Sequence, residues 1–105
     1  MISMGCTWTA ILKIKNNTDK LIGDVKFTYN LEEISTHVKN IKPNENKQTG
    51  VSTLYDVRDL RMVVGGVDKS YLIKSEIPKS YMNTIIITIN SINSDQCEFD
   101  IQEEE

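Results

Sequence analysis

Apolar and polar residues alternate along five stretches of the chain, which is the pattern of β-strands that bury one face. The stretches cover residues 8–15, 24–29, 59–64, 84–89 and 97–102. Val25, Phe27 and Tyr29 show the pattern clearly, because polar residues stand between them. The chain also has 14 Ile, 7 Val and 9 Thr, whose β-branched side chains suit a pleated sheet. A further strand is predicted near 69–74.

Turn-forming residues separate these strands. Asn, Asp, Gly and Pro cluster at residues 16–19, 42–46, 65–68, 78–81 and 93–95. Gly65-Gly66 can supply a positive φ, and Pro43 presets φ for a turn that continues into Asn44. The spacing predicts short strands joined by tight connections.

Segment 31–41 fits two interpretations. Leu31, Ile34, Val38 and Ile41 have helical spacing, and Asn30 could cap such a helix. Ile34, Thr36 and Val38 also alternate, and the residues around His37 are poor helix formers. We predict a strand, with a short helix as the alternative.

Seven to eight short strands with regular turns are typical of an all-β, two-sheet antiparallel β-sandwich of immunoglobulin-like type. We expect one domain over residues 1–105, with a short acidic tail near 103–105. The alternatives are a small β-barrel and a sandwich with one short helix at 31–41.

The charge distribution argues against nucleic-acid binding. The net charge is −3 and the pI is about 5.1, and the lysines are dispersed along the chain. The last eleven residues, 95–105, hold six acids and no base, which is typical of a solvated tail. No apolar run approaches the length of a membrane span, so we expect none.

The residues that could carry chemistry are few. A catalytic triad or dyad would have to use His37, the single histidine. Cys6 and Cys97 belong to no CxxC motif, and we expect both to be reduced. Among the loop acids, Asp56, Asp59 and Asp68 lie beside Arg58 and Lys69, which would partly neutralise a Ca²⁺ site. Glu45 and Asp95 lie in separate turns, and EF-hand spacing is absent. We therefore predict no metal, no cofactor and no enzymatic activity.

Two surfaces are candidates for contact with other molecules. The first consists of loop residues of types enriched in protein interfaces: Tyr55, Arg58, Arg61, Lys79, Tyr81 and Met82. The second is Ile86, in the uncharged run Thr84-Ile-Ile-Ile-Thr-Ile. Such a strand should be central and covered on both faces, and a homodimer could supply the cover for Ile86.

These observations favour a non-catalytic protein-interaction module. Abundant Ile, Lys and Asn with a single Ala indicate an AT-rich genome, so an accessory or inhibitory protein of such a bacterium or its phage fits. No signal-peptide pattern is visible, and we expect a cytoplasmic location. The alternatives are a secreted or surface sandwich that binds carbohydrate or lipid, and an enzyme that uses His37.

Overall fold

The alternating stretches form β-strands in the computed structural model, which describes residues 9–30, 34–53, 56–79 and 81–104. These residues form eight strands and no helix, and so no helix capable of crossing a membrane. The strands are β1 (Thr9–Asn16), β2 (Ile22–Tyr29), β3 (Ile34–Ile41), β4 (Asn46–Ser52), β5 (Val57–Val64), β6 (Ser70–Ile77), β7 (Thr84–Ile92) and β8 (Cys97–Glu104).

The strands make two four-stranded sheets, which confirms the predicted two-sheet sandwich. Sheet A has the order β4-β1-β7-β8, and sheet B has the order β3-β2-β5-β6. Neighbouring strands are antiparallel except β1 and β7, which pair in parallel from Ile11↔Thr84 to Asn16↔Ile89. The sequence predicted an antiparallel sandwich, and this parallel pair departs from it. Both strands begin at the same end of the sandwich.

The segment with two interpretations is a strand over its described part. β3 pairs with β2 from Ile22↔Ile41 to Tyr29↔Ile34, which excludes a helix over 34–41. Val38 and Ile41 are both buried in the core although they are three positions apart, because the left-handed backbone at Asn40 (φ 55°) breaks the alternation between them. Leu31 lies outside the described residues.

The core lies between the sheets and is built from the residues that the alternation directs inward. Its largest fully buried side chains come from both sheets: Leu12, Ile14, Ile85, Ile87 and Ile89 from sheet A, and Ile22, Phe27, Ile41, Leu60, Met62 and Ile77 from sheet B. Tyr71, Tyr81 and Phe99 are half-buried against this core. Trp8, the first residue of the alternating stretch 8–15, lies outside the described residues.

One strand had no clear signal in the sequence. β4 contains only one buried residue, Val51, and its other positions are polar or glycine. It pairs with β1 through an uninterrupted register from Thr9↔Ser52 to Lys15↔Asn46. An edge strand that buries one side chain needs no alternation of apolar residues, so its hydrophobic pattern is weak.

The connections lie at two opposite ends of the sandwich. At the turn end lie the connections 17–21, 42–45, 65–69 and 93–96, and the opposite end, called the loop end, is where β2, β4 and β6 finish and β3, β5 and β7 begin. The tight turns at the turn end use left-handed backbone at Asn44 (φ 64°) and Gly66 (φ 88°). Glycine adopts this region without strain, and asparagine tolerates it better than most residues.

Candidate functional site

The loop end brings together the β4–β5 and β6–β7 connections. The Thr53 hydroxyl donates to the Tyr81 carbonyl oxygen at 2.7 Å, and the Lys79 backbone N–H donates to the Asp56 carboxylate at 2.8 Å. Thr53 is fully buried, so without this bond its hydroxyl would be left without a partner inside the protein. These two bonds fix the backbones of the two connections relative to each other.

The structure locates four of the six predicted contact residues at or next to the loop end. Met82 is 57% exposed, and Lys79 and Arg58 are exposed as well. The backbone N–H of Arg58, near the start of β5, donates to the Asn30 side chain at 2.9 Å. Tyr81 is only half-buried at the surface and packs against the core. Among these four residues, Met82 has the most exposed apolar side chain.

The other two predicted contact residues are Arg61 and Tyr55. Arg61 lies farther along β5, opposite Thr28 on the outer face of sheet B, and its Nε is 3.0 Å from an Asp59 carboxylate oxygen. Tyr55 lies outside the described residues. Val57 and Leu60 are both buried while Arg58 is exposed, because the left-handed backbone at Asp59 (φ 57°) breaks the alternation. Arg58 and Arg61 therefore lie on the same outer face of sheet B, three positions apart along β5.

A small polar cluster joins the two sheets beside the loop end. Glu103 of β8 accepts hydrogen bonds from the Tyr81 hydroxyl and from Lys74 of β6, whose Nζ is 3.2 Å away. The Lys74 ammonium also lies 5.6 Å from the centre of the Tyr81 ring. The Tyr81 hydrogen bond and the nearby Lys74 charge lower the pKa of Glu103. Glu103 and Lys74 therefore hold Tyr81 in place, and the Tyr81 hydroxyl already donates a hydrogen bond to Glu103.

The turn end is organised around one buried side chain, Asn16. It is 1% exposed, and its amide nitrogen donates to the carbonyl oxygens of Lys20 at 2.7 Å and Ile41 at 2.9 Å. Its amide oxygen accepts from the backbone N–H and the hydroxyl of Thr18. The sequence Asn16-Asn17-Thr18 matches a glycosylation pattern, but a glycan on this buried nitrogen is incompatible with the folded structure.

Two shallow clefts lie on either side of Asn17 at the turn end. One, of about 280 Å³, is lined by Lys15, Asn16, Asn17, Asn44, Glu45, Asn46 and Thr88. The other, of about 290 Å³, is lined by Asn17, Thr18, Asp19, Lys20, Asn90, Ser91 and Ile92. Asn17 donates to Asn90 at 2.9 Å, and Asn90 donates to Asp100 at 3.0 Å. The linings are rich in amide groups and contain no aromatic side chain.

Ile86 lies on the outer face of sheet A, in the central strand β7. Its neighbours in register are Lys13 on β1 and Gln102 on β8. It is 5% exposed although it does not belong to the core between the sheets. Because β7 lies between β1 and β8, the prediction that this strand is central is confirmed. Burial of Ile86 needs no second copy of the chain, and the homodimer stays a prediction for measurement in solution.

The candidate catalytic residues are far apart in the fold. His37 lies on the exposed face of β3, where its Nδ1 is 3.0 Å from an Asp24 carboxylate oxygen. Cys97 is a free, buried thiol on β8 in the other sheet. Burial, followed by the negative charge of Glu98, raises the pKa of Cys97 to about 11. A thiol with this pKa is almost entirely protonated at neutral pH and is a poor nucleophile.

The loop acids are dispersed rather than clustered. Asp56 accepts from Lys79, Glu45 accepts from the Lys42 backbone N–H, and Asp59 pairs with Arg61. Within residues 9–30, 34–53, 56–79 and 81–104, no group of three His, Cys, Asp or Glu side chains is arranged to hold a metal ion.

Sequence reasoning missed the turn-end asparagines and the partners of Tyr81. Residues 16–18 and 44–46 are rich in Asn and Thr, which indicated turns but not that one Asn would be buried between the sheets. The contact of Glu103 with Lys74 and Tyr81 had no signal in the sequence, because these residues are 22 or more positions apart.

Comparison with known proteins shows the fold alone. No family model matches the chain, and no curated protein is similar to it. A solved structure does match, the NMR structure of a protein from Eubacterium rectale, with a TM-score of 0.58 and 16% sequence identity. The match covers 98% of this chain and 97% of that chain. The class of protein is thus an all-β, two-sheet sandwich.

Proposed function

We propose that this chain is a non-catalytic protein-interaction module whose contact surface is the loop end. The observation that carries the proposal is the exposure of Met82, 57%, on a connection held by cross-loop hydrogen bonds. A surface that is ordered before binding loses less conformational entropy when a partner binds. The loop end therefore combines an apolar anchor with a preorganised backbone.

The charges around Met82 suggest the chemistry of the partner surface. Lys79, three residues before it, and Arg58, at the same end of the sandwich, are exposed bases, while Asp56 accepts a hydrogen bond from the Lys79 backbone. Methionine adapts its shape to irregular apolar pockets, and Arg is enriched where protein surfaces meet. The partner surface that fits best is an apolar pocket with an acidic rim.

We also propose a cellular setting for this module and a relationship to the immunoglobulin-like folds. An AT-rich composition supports a bacterial or phage origin and an accessory or inhibitory role, acting from the cytoplasm. Two four-stranded sheets packed face to face support an immunoglobulin-like relationship. Both remain proposals beyond the sandwich architecture.

The test compares two variants, Met82→Ser and Leu21→Ser, each of which removes an equally exposed apolar side chain. Met82 and Leu21 are each 57% exposed, but they lie at opposite ends of the sandwich. The tagged wild type and each variant are incubated with extract of the organism that encodes the chain, and captured proteins are quantified by mass spectrometry. Met82→Ser should reduce recovery of the specific partner by about tenfold, since anchors of this kind contribute about 1–2 kcal/mol.

The Leu21→Ser variant should retain full recovery, because it removes the same kind of apolar surface from the wrong end. Full recovery by both variants, or capture of no protein above background by the wild type, would refute the loop end as the contact surface. Loss in both variants would indicate nonspecific apolar binding rather than a defined site.

Carbohydrate binding at the turn end is a second candidate function, favoured by the two amide-lined clefts. Amide groups both donate and accept, so they suit the hydroxyls of a neutral sugar. Asn44 and Asn46 line the cleft that also contains Lys15 and Glu45. Their side chains take part in no interaction among the described residues. Binding to an array of neutral glycans, lost in Asn44→Ala/Asn46→Ala, would support this function, and an array without binding would reject it.

A further inference from the structure

β8 has a backbone edge to which no described strand pairs. It lies last in sheet A and pairs with β7 on its other side, and at the start of β8 the Cys97 backbone N–H donates to the Tyr71 hydroxyl of β6 at 2.8 Å. From Phe99 to Glu104 its register with β7 is regular, from Ile89↔Phe99 to Thr84↔Glu104. The outer edge of this stretch therefore presents regularly spaced N–H and C=O groups that could accept another strand.

The other sheet edges are less regular or are shielded. β3 contains left-handed backbone at Asn40 (φ 55°), and the pairing of β5 with β6 has a register shift between Leu60 and Arg61. β3 and β4 also bind each other across the sheets, through the Thr36 and Thr49 hydroxyls at 2.8 Å. Irregular backbone and lateral cover both disfavour added strands. β8 also contacts β6 across the sheets, through Cys97, Phe99 and Glu103, but from Asp100 to Glu104 its outer backbone edge pairs with no described strand and its register with β7 is regular.

The side chains of β8 give this edge a strongly acidic face and a less polar one. On the outer face of sheet A lie Glu98, Asp100, Gln102 and Glu104, all exposed. The opposite face carries Phe99, half-buried, and Ile101, which is 42% exposed. Glu103 on that face is already paired with Lys74 and Tyr81. An added strand would thus meet acids on one face and Ile101 on the other.

We propose that β8 is the docking edge for an extended segment of the partner protein in which basic and apolar residues alternate. The segment would add to sheet A as a fifth strand, with its main chain bonded to β8 and its basic side chains opposite Asp100 and Glu104. This inference rests on the proposed function, because it names the chemistry of the partner at a second surface of the same module.

The same charges exclude a second copy of this chain from the edge. Two antiparallel β8 strands would bring the Asp100 and Glu104 carboxylates of one copy next to those of the other. Like charges opposite each other destabilise a strand pair, whereas opposite charges stabilise it. The acidic face therefore disfavours self-association and favours a basic strand, which is specificity through repulsion of the wrong partner.

The test uses two synthetic peptides, one of alternating Lys and Val and one of alternating Glu and Val, seven residues each. Binding to the full chain is measured by NMR titration at 150 mM salt, where distant charges are screened beyond about 8 Å. The Lys-Val peptide should shift β8 resonances and slow hydrogen exchange at alternate amides between Phe99 and Glu104. The Glu-Val peptide should not bind.

Charge reversal gives the matched comparison. Asp100→Lys/Glu104→Lys should weaken Lys-Val binding by about tenfold and create binding of the Glu-Val peptide. Asp19→Lys/Asp68→Lys changes the net charge equally, but in exposed turns outside β8, and should leave both affinities within about twofold. Asp100→Asn/Glu104→Gln, which keeps hydrogen-bonding groups in place, should weaken Lys-Val binding without creating Glu-Val binding.

Three results would overturn the docking edge. They are no binding of the Lys-Val peptide at millimolar concentration, protection from exchange outside β8, and equal effects of the edge and turn charge reversals. None of these results bears on Met82, so the interaction module would survive them if Met82→Ser still loses its partner. Failure of the Met82 test with strand addition intact would instead move the contact surface to β8.

Discussion

The side-chain amide of Asn16 donates to the Ile41 carbonyl oxygen at 2.9 Å and so ties the end of β1 in sheet A to the end of β3 in sheet B. The same nitrogen also donates to Lys20. The Asn16 backbone takes part as well, because its N–H donates to the Glu45 carbonyl and its own carbonyl accepts from the Asn44 N–H. One buried residue therefore fixes two turns and both sheets at this end.

We expect Asn16→Ala to lower the free energy of unfolding by about 2–3 kcal/mol, because it leaves buried backbone carbonyls without their donor. Asn17→Ala is the matched control, since Asn17 is exposed and its bond to Asn90 is open to water; its cost should be within about 0.5 kcal/mol. Urea unfolding followed by circular dichroism measures both. Equal losses in the two variants would show that the buried amide does not hold the turn end together.

Ile86→Glu should destabilise the monomer rather than dissociate a dimer. Ile86 is 5% exposed within one chain, so burying a carboxylate there should cost about 2–4 kcal/mol. Ile101→Glu provides the comparison, because Ile101 is 42% exposed and the change should cost less than about 1 kcal/mol.

Light scattering on the same two proteins and the wild type tests the homodimer. We expect the mass in solution to be unchanged by Ile86→Glu. A wild-type dimer that becomes a stable monomer in this variant would instead place Ile86 at the interface between two copies.

Glu103 should make a small contribution to stability that depends on pH. Its pKa is lowered in the folded chain, first by the Tyr81 hydroxyl and also by Lys74, so the folded state favours the ionised form. This contribution is present above the unfolded pKa, about 4.5, and is lost as the pH falls through the lower folded pKa. Because the side chain is 43% exposed, we expect only a few tenths of a kcal/mol.

The measurement compares the wild type with Glu103→Gln in urea at pH 7 and pH 3. The difference between them should be present at pH 7 and should shrink at pH 3. Glu104→Gln, on the exposed face of β8, should show a smaller difference at pH 7. A Glu103→Gln difference that stays constant with pH would mean that ionisation of this carboxyl is not linked to folding.

The Cys97 thiol should be unreactive in the folded protein. Loss of its proton should lower the free energy of unfolding at alkaline pH. Burial is the larger cause that raises its pKa from 9.0 to about 11, so thiolate is scarce at pH 8. Between pH 9 and 11 the unfolded chain loses this proton more readily than the folded chain, and stability falls as the pH rises.

Reaction with a thiol reagent at pH 8, with and without denaturant, checks the first part. Cys97 should react at least tenfold faster in denaturant, with its modification located by peptide mass spectrometry. The Cys97→Ala variant should lose part of the decline in stability above pH 9. Equal reaction rates in both conditions would mean that the fold does not protect Cys97.

The positions of most strands could be predicted from the sequence. Alternation located β2 and β7 closely, since a strand with one buried face must place apolar side chains at every second position. Turn residues also predicted the breaks between strands, including the turn that uses left-handed backbone at Gly66. β4 was missed because a polar edge strand with one buried residue, Val51, carries almost no alternation.

The sequence by itself therefore determined the strand content and which face of most strands points inward, because both follow from a local period of two residues. Only the tertiary structure decided that β1 pairs in parallel with β7, that Asn16 is buried between the sheets, and that Glu103 lies beside Lys74 and Tyr81. A period of two sets the face of a side chain but not the neighbour of its strand. Neighbours follow from how all eight strands share one core, so long-range partners become visible only when the whole chain is packed.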